Sequence, residues 1–202
     1  MRGLYVAELE DLYSAEEQLV EALPKLASYA TAVELQMAFE AHLEETKKHL
    51  QRLDQVFETL AVTPSGRRCT MMERLIEKAY EVADAETKGD VLDAALIARV
   101  RHVEHYEIAG YGTLKTCAII LGEVAHLRLF QQTVHEEAVA DDWLTEIAHA
   151  IDIEWAIRTR ANWKADDREV LRPLEIDRPV LCEESHGLRS LSSDAISEPR
   201  AE

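Results

Sequence analysis

The stretch Val100-Arg-His-Val-Glu-His-Tyr-Glu-Ile-Ala-Gly-Tyr111 decides the fold. Val100, Val103, Ile108 and Tyr111 recur at helical spacing, so one face of this helix points into a core. Glu104 and Glu107 fall among them, where a core helix should be apolar. Three other stretches share the anomaly. Glu16 lies between Leu12 and Leu19, and Glu45 lies beside the line Phe39, His42, Thr46, His49, Leu53. Glu137 and Asp141 lie between Phe130, Val134 and Leu144. Four helices that each bury one or two acids predict a shared polyanionic pocket. Buried negative charge at that density is tolerable only beside a cation.

The chain of 202 residues is long enough for one well-cored domain plus extras. Only 7 Gly and 5 Pro among abundant Ala, Leu and Glu predict an all-helical protein. A formal charge of −17 argues against nucleic acid or an anionic membrane as partner. Most of the 39 acids are surface carboxylates, since no single site needs so many. Cys69, Cys117 and Cys182 form no CxxC pair and no even disulfide set, which fits a reducing cytoplasm and excludes a rubredoxin-like four-cysteine iron domain. The first residues do not read as a basic-then-apolar signal segment, and no apolar run approaches the ~18 residues of a membrane span, so neither a secretory leader nor a membrane span is expected. The expectation is a cytoplasmic protein.

Periodicity predicts helices over about 3–29, 33–60, 71–85 and 90–121, and a fourth long helix from about 123. Pro24 should kink the first or end its regular part. Thr63-Pro-Ser-Gly66 is a stop and turn, Asp90 a candidate N-cap, and Gly122 a break. Two short-linked hairpins joined by a long crossover with its own short helix is the order of a ferritin-like four-helix bundle. The bundle is expected over 1–165. Periodicity fades from about Asp166, and 166–202 reads as an irregular or disordered tail.

Antiparallel helices joined by a tight turn bring together residues equally distant from that turn. Reflecting Glu16 through the turn near residue 30 lands at about residue 45, which is Glu45. Reflecting the midpoint of Glu104 and Glu107 through Gly122 lands between Glu137 and Asp141. Two Glu-x-x-His strings, the usual mark of di-iron bundles, fail this test. Glu123-Val-Ala-His126 sits at the turn, and Glu146-Ile-Ala-His149 faces the ligand-free level of Ala95–Ala98. The candidate metal ligands are therefore Glu16, His42, Glu45, Glu104, Glu107, Glu137 and Asp141, with His49 the weaker alternative to His42 as the imidazole. His102, His105, His126, His135 and His149 read as surface or supporting positions. Such an oxygen-rich site suits two iron ions, with manganese or zinc as alternatives. The blander reading is an acid network salt-bridged to Arg99, Arg101 or Lys115.

The strings Asp11-Leu-Tyr-Ser-Ala-Glu16, His42-Leu-Glu-Glu-Thr46, Val103-Glu-His-Tyr-Glu-Ile-Ala109 and Glu136-Glu-x-x-x-Asp141 resemble the YciE/YciF-like branch of the ferritin-like superfamily. The segments Ala22-Leu-Pro-Lys25 and Asp93-Ala-Ala-Leu-Ile97 are similar to it too, and the match spans about residues 3–149. The resemblance implies a rubrerythrin-like bundle, a homodimer, a di-metal centre and a link to bacterial stress response. The absence of a second Glu-x-x-His in place departs from ferritins and rubrerythrins. Three functions follow as expectations. The first is a di-iron protein oxidising Fe(II) with oxygen or hydrogen peroxide. The second is a dimeric helical stress protein whose metal is structural or whose acids form only a buried network. The third is a di-iron oxygenase or oxidase of an organic substrate, which needs an apolar pocket beside the metals.

Overall fold

The computed structural model describes residues 1–85 and 88–160, the side chains of 152–160 excepted. Five helices follow in order, with no strand among the described residues: α1 (Arg2–Tyr29), α2 (Val33–Leu60), α3 (Thr70–Ala85), α4 (Asp90–Leu121) and α5 (Val124–Arg160). They belong to one compact unit, Met1–Ala161. The expected boundary at 165, the irregular tail over 166–202 and Cys182 lie outside the described residues. No described helix is long and apolar enough to cross a membrane.

The four long helices pair as the short turns require, α1 with α2 and α4 with α5, and the pairs meet along α1–α4 and α2–α5. α3 lies against α1 and α4. α1 runs through Pro24 without ending, because Pro24 sits on the exposed face. There the carbonyl that loses its amide donor can turn to water. Gly122, at φ 77°, supplies the left-handed residue that closes α4, and the Glu123 amide reaches back to the Ala118 carbonyl at 2.9 Å.

Asp90 is the first residue of α4, and Gly89 occupies the cap position. Asp93, one turn on, is buried and caps a different helix. Its two carboxylate oxygens accept the amides of Thr31 and Ala32, each at 2.8 Å, where α2 begins without a capping side chain of its own. The Thr31 hydroxyl in turn accepts the Gly89 amide at 3.0 Å. A carboxylate at a helix N-terminus also meets the positive end of its dipole, so Asp93 ties one hairpin to the start of the other.

The apolar core is split. One part gathers Leu19, Leu23, Phe39, Met72, Leu96 and Val100, and the other gathers Tyr5, Leu9, Val56, Tyr111, Leu114 and Phe130. Between them lies a layer of buried polar side chains from all four long helices: Glu16, His42, Thr46, His49, Glu104, Glu107 and Glu137. Gly110 lets α1 and α4 approach there, since a Cβ at this position would come within 2.9 Å of Leu12 Cδ2. The Asp93→Ala variant, which strips the acceptors from two turn amides, is expected to lose about 2–3 kcal/mol in denaturant unfolding. The Asp93→Asn variant should recover part of that loss.

Candidate metal centre

Two groups of donor atoms converge in the polar layer, each within 4.8 Å of one another. One comprises His42, Glu104, Glu107 and Glu137; the other comprises Glu16, His49 and Glu137. Every member is buried, and Glu137 belongs to both. Helix periodicity makes this possible. His42 and His49 are seven residues apart on α2, close to two full turns, so both rings leave the same face.

The contacts within the cluster are close yet mostly unbonded. His42 Nε2 lies 3.5 Å from Glu104 Oε2 and 3.9 Å from Glu137 Oε2. His49 Nδ1 lies 2.9 Å from Glu137 Oε1 and 3.4 Å from Glu16 Oε1. Both oxygens of Glu104, Glu107 and Glu137 lack a hydrogen-bond partner, as do both His42 nitrogens, His49 Nδ1 and Glu16 Oε2. Donor atoms gathered in this way without hydrogen bonds of their own are available to a shared cation. Ligands about 2.0–2.2 Å from a common ion stand roughly 3–3.5 Å apart, close to three of the four distances above, the fourth being 3.9 Å.

Electrostatics say the same. Burial, and then the neighbouring carboxylates, push the Glu107 carboxyl well above its usual range. Burial does the same to Glu104 against the pull of His42. Burial also opposes ionisation of Glu137, but its contacts with His49 and His42 outweigh this and hold it low. Burial disfavours both histidine cations, yet the facing acids raise His42 to about 9 and His49 to about 11. Without metal, protons neutralise the cluster.

The surroundings orient the histidines. His49 Nε2 lies 3.0 Å from Glu136 Oε2, so a proton held there leaves Nδ1 free to face Glu16 and Glu137. Glu136 is fixed by Arg52, whose guanidinium gives it two hydrogen bonds, the longer at 2.9 Å, and a third to Thr133 at 3.0 Å. Although burial pushes the other way, this pairing lowers Glu136 to about 2. The Tyr111 hydroxyl donates to Glu16 at 2.5 Å. A second polar knot lies nearby, where Tyr106 donates to Asp11 and the Cys69 sulfur lies 3.2 Å from the Tyr106 oxygen.

The structure thus gathers Glu16, His42, Glu104, Glu107 and Glu137 of the expected ligands. It leaves Glu45 and Asp141 outside both donor groups. Glu45 sits about 60° around α2 from His42; its side chain is 35% exposed and stands 4.0 Å behind His42 Nδ1. Asp141 turns toward α4, where Arg101 grips it at 2.7 and 3.1 Å and His105 adds a contact at 3.2 Å. That pairing holds its carboxyl below the usual range. Of the seven, Asp141 is the one paired with an arginine; Glu16, Glu45, Glu104 and Glu137 face histidines instead. His49 takes the place expected of Glu45, and Arg52 with Glu136 is support that the sequence pattern did not single out. His126, expected at the surface or in support, is buried in the far apolar core with Nδ1 3.0 Å from the Tyr5 hydroxyl. Glu146 and His149 are exposed.

Helices and site together define an all-helical protein built around a buried carboxylate–histidine cluster with the donors to hold a metal ion. Residues 1–154 match the family described as a domain of unknown function, DUF892, and the chain belongs to it. It is 47% identical over 149 residues to protein YciF of Escherichia coli, covering 73% of this chain and 90% of that one. The crystal structure of YciF, described as a stress protein of E. coli, superposes with a TM-score of 0.72 at 44% identity, over 74% of this chain and 95% of that one. YcfI of Rhodopseudomonas palustris, described as a candidate structural protein, gives 0.69 at 43% identity, over 72% and 92%.

The raised Glu107 carboxyl has a consequence for stability. A folded-state pKa above the unfolded value means the acid is harmless below about pH 4.5 and destabilises the metal-free fold increasingly as pH rises. The Glu107→Gln variant, stripped of metal, should therefore melt above wild type at pH 8, with the difference shrinking toward pH 4.5. Equal melting temperatures at both pH values would contradict this electrostatic picture.

Proposed function

We propose that this chain is a ferritin-like di-metal protein, most simply di-iron, that oxidises Fe(II) with oxygen or hydrogen peroxide in a stress response. The observation that carries the reading is the pair of donor groups sharing Glu137, with their lone pairs unpartnered. Charge fits as well. Glu16, Glu104, Glu107 and Glu137, once ionised beside neutral imidazoles, balance two divalent cations. Carboxylates with two imidazoles suit iron or manganese.

In this reading His42, Glu104 and Glu107 would hold one ion and Glu16 and His49 the other, with Glu137 available to either group. With iron bound, the chemistry supplied is oxidation of the ferrous pair coupled to two-electron reduction of the oxidant. The chain's own part is to position and to insulate. Glu136, braced by Arg52, holds the His49 ring with Nδ1 inward, and Glu45 stands behind His42 in the matching role. Such supporting carboxylates fix the tautomer and strengthen the ligand. Because protons neutralise the empty cluster, metal uptake must displace them, so affinity should rise with pH. The resemblance to YciF supports the stress role. A homodimer is the proposed assembly, and sedimentation of the full chain tests it.

The description of YcfI favours a second reading, in which the metal only braces the bundle. Metal quantification after aerobic purification from iron-supplemented cells, followed by stopped-flow mixing with peroxide, separates the possibilities. About two irons per chain are expected in wild type and in Asp141→Ala, with at least a tenfold loss in Glu104→Ala and Glu137→Ala. Bound iron that peroxide leaves ferrous would favour the bracing role. Negligible metal in folded wild type, even after anaerobic loading, would remove both.

A further inference from the structure

A cavity of about 170 Å³ opens between α2 and α5 directly beside the first donor group. Its origin is a set of small residues on facing helices. Ala38 and Ala41 of α2 and Ala140 of α5 leave a gap that longer side chains would close. Phe39, Val139, Trp143 and Leu144 give it apolar walls. Val139 is 51% and Trp143 38% exposed, so large apolar side chains stand at the rim in contact with water.

The floor is different. His42 and Glu104, 4% and 0% exposed, present atoms without a hydrogen-bond partner, and Glu45 also lines the cavity. Apolar walls leading to convergent, unpartnered polar groups are the pattern of a small-molecule site. The size is telling: an apolar cavity of ~150 Å³ holds benzene. The chemistry of the lining is telling too: the apolar walls offer nothing to repay the desolvation of a charged group, while the oxygens of Glu45 and Glu104 can accept a hydrogen bond from a hydroxyl.

We propose that the α2–α5 cavity binds a compact, neutral, apolar molecule bearing one hydroxyl-type group, its ring or branched carbon skeleton against Trp143 and Val139 and its polar end toward Glu104 and His42. Binding follows from the cavity alone, whereas a role for that molecule as substrate or oxidant rests on the metal-centre reading above. The cavity also meets the structural requirement of an oxidase of organic substrates.

The test uses the full chain stripped of metal, with benzyl alcohol as probe and benzoate as its anionic counterpart. Methyl resonances of Val139 and Leu144 are followed by NMR during titration. Saturable shifts with the alcohol and none with benzoate are expected. The Ala140→Leu variant, which fills the gap, should weaken binding at least tenfold, and Ala41→Phe provides a second closure at the rim. Circular dichroism establishes that each variant is folded, and its iron content is measured on a separate portion. Shifts that do not saturate, that arise equally with benzoate, or that persist unchanged in both folded variants overturn the proposal. Failure here with wild-type iron content leaves the metal centre standing; loss of iron with intact probe binding does the reverse.

Discussion

Everything in this fold answers to one constraint: four carboxylates, Glu16, Glu104, Glu107 and Glu137, lie out of contact with water in the middle of the bundle. Charge in such a place must be neutralised by protons, by opposite charge or by metal. Protons and the two histidines serve the empty protein, but at a cost that rises with pH. A hydrophobic layer of equal volume would stabilise the bundle better, so the acids make sense as a site and poorly as scaffolding. The apolar clusters on either side, with Asp93 locking the turn between α1 and α2, supply the stability this layer withholds.

The support around the cluster follows the same logic. Arg52 is buried on α2, one turn beyond His49, yet it bonds Glu136 and Thr133 rather than a member of the donor groups. Its charge is spent on the carboxylate behind His49, one step removed, so the inner acids are left for a cation. Arg101 likewise takes Asp141 and no other acid of the seven. A network meant only to neutralise itself would bring these guanidiniums inward. Gly110 and Tyr111 complete the arrangement, the first by letting α1 approach α4 and the second by donating its hydroxyl to Glu16.

Much of this was legible in the sequence because helical spacing and distance from a turn are one-dimensional quantities. They located α2 at its observed bounds and put Glu104, Glu107 and Glu137 at one height. Rotation about the helix axis was harder to read. Glu45 reflects onto Glu16 in height, but it stands about 60° away from the His42–His49 face, and a histidine one turn further makes the contact. Asp141 is about 40° around from Glu137, enough to bring it to Arg101. Arg52 with Glu136 and the alanine-lined cavity are both cross-helix features. Their residues look ordinary until α2 and α5 are set face to face.

Anomalous diffraction from crystals of the full chain, loaded anaerobically with iron(II), tests the central claim most directly. Two peaks are expected, one among His42, Glu104, Glu107 and Glu137 and one among Glu16, His49 and Glu137. Iron found only outside the polar layer, with His42 and His49 still facing their acids across a metal-free cluster, would contradict the account.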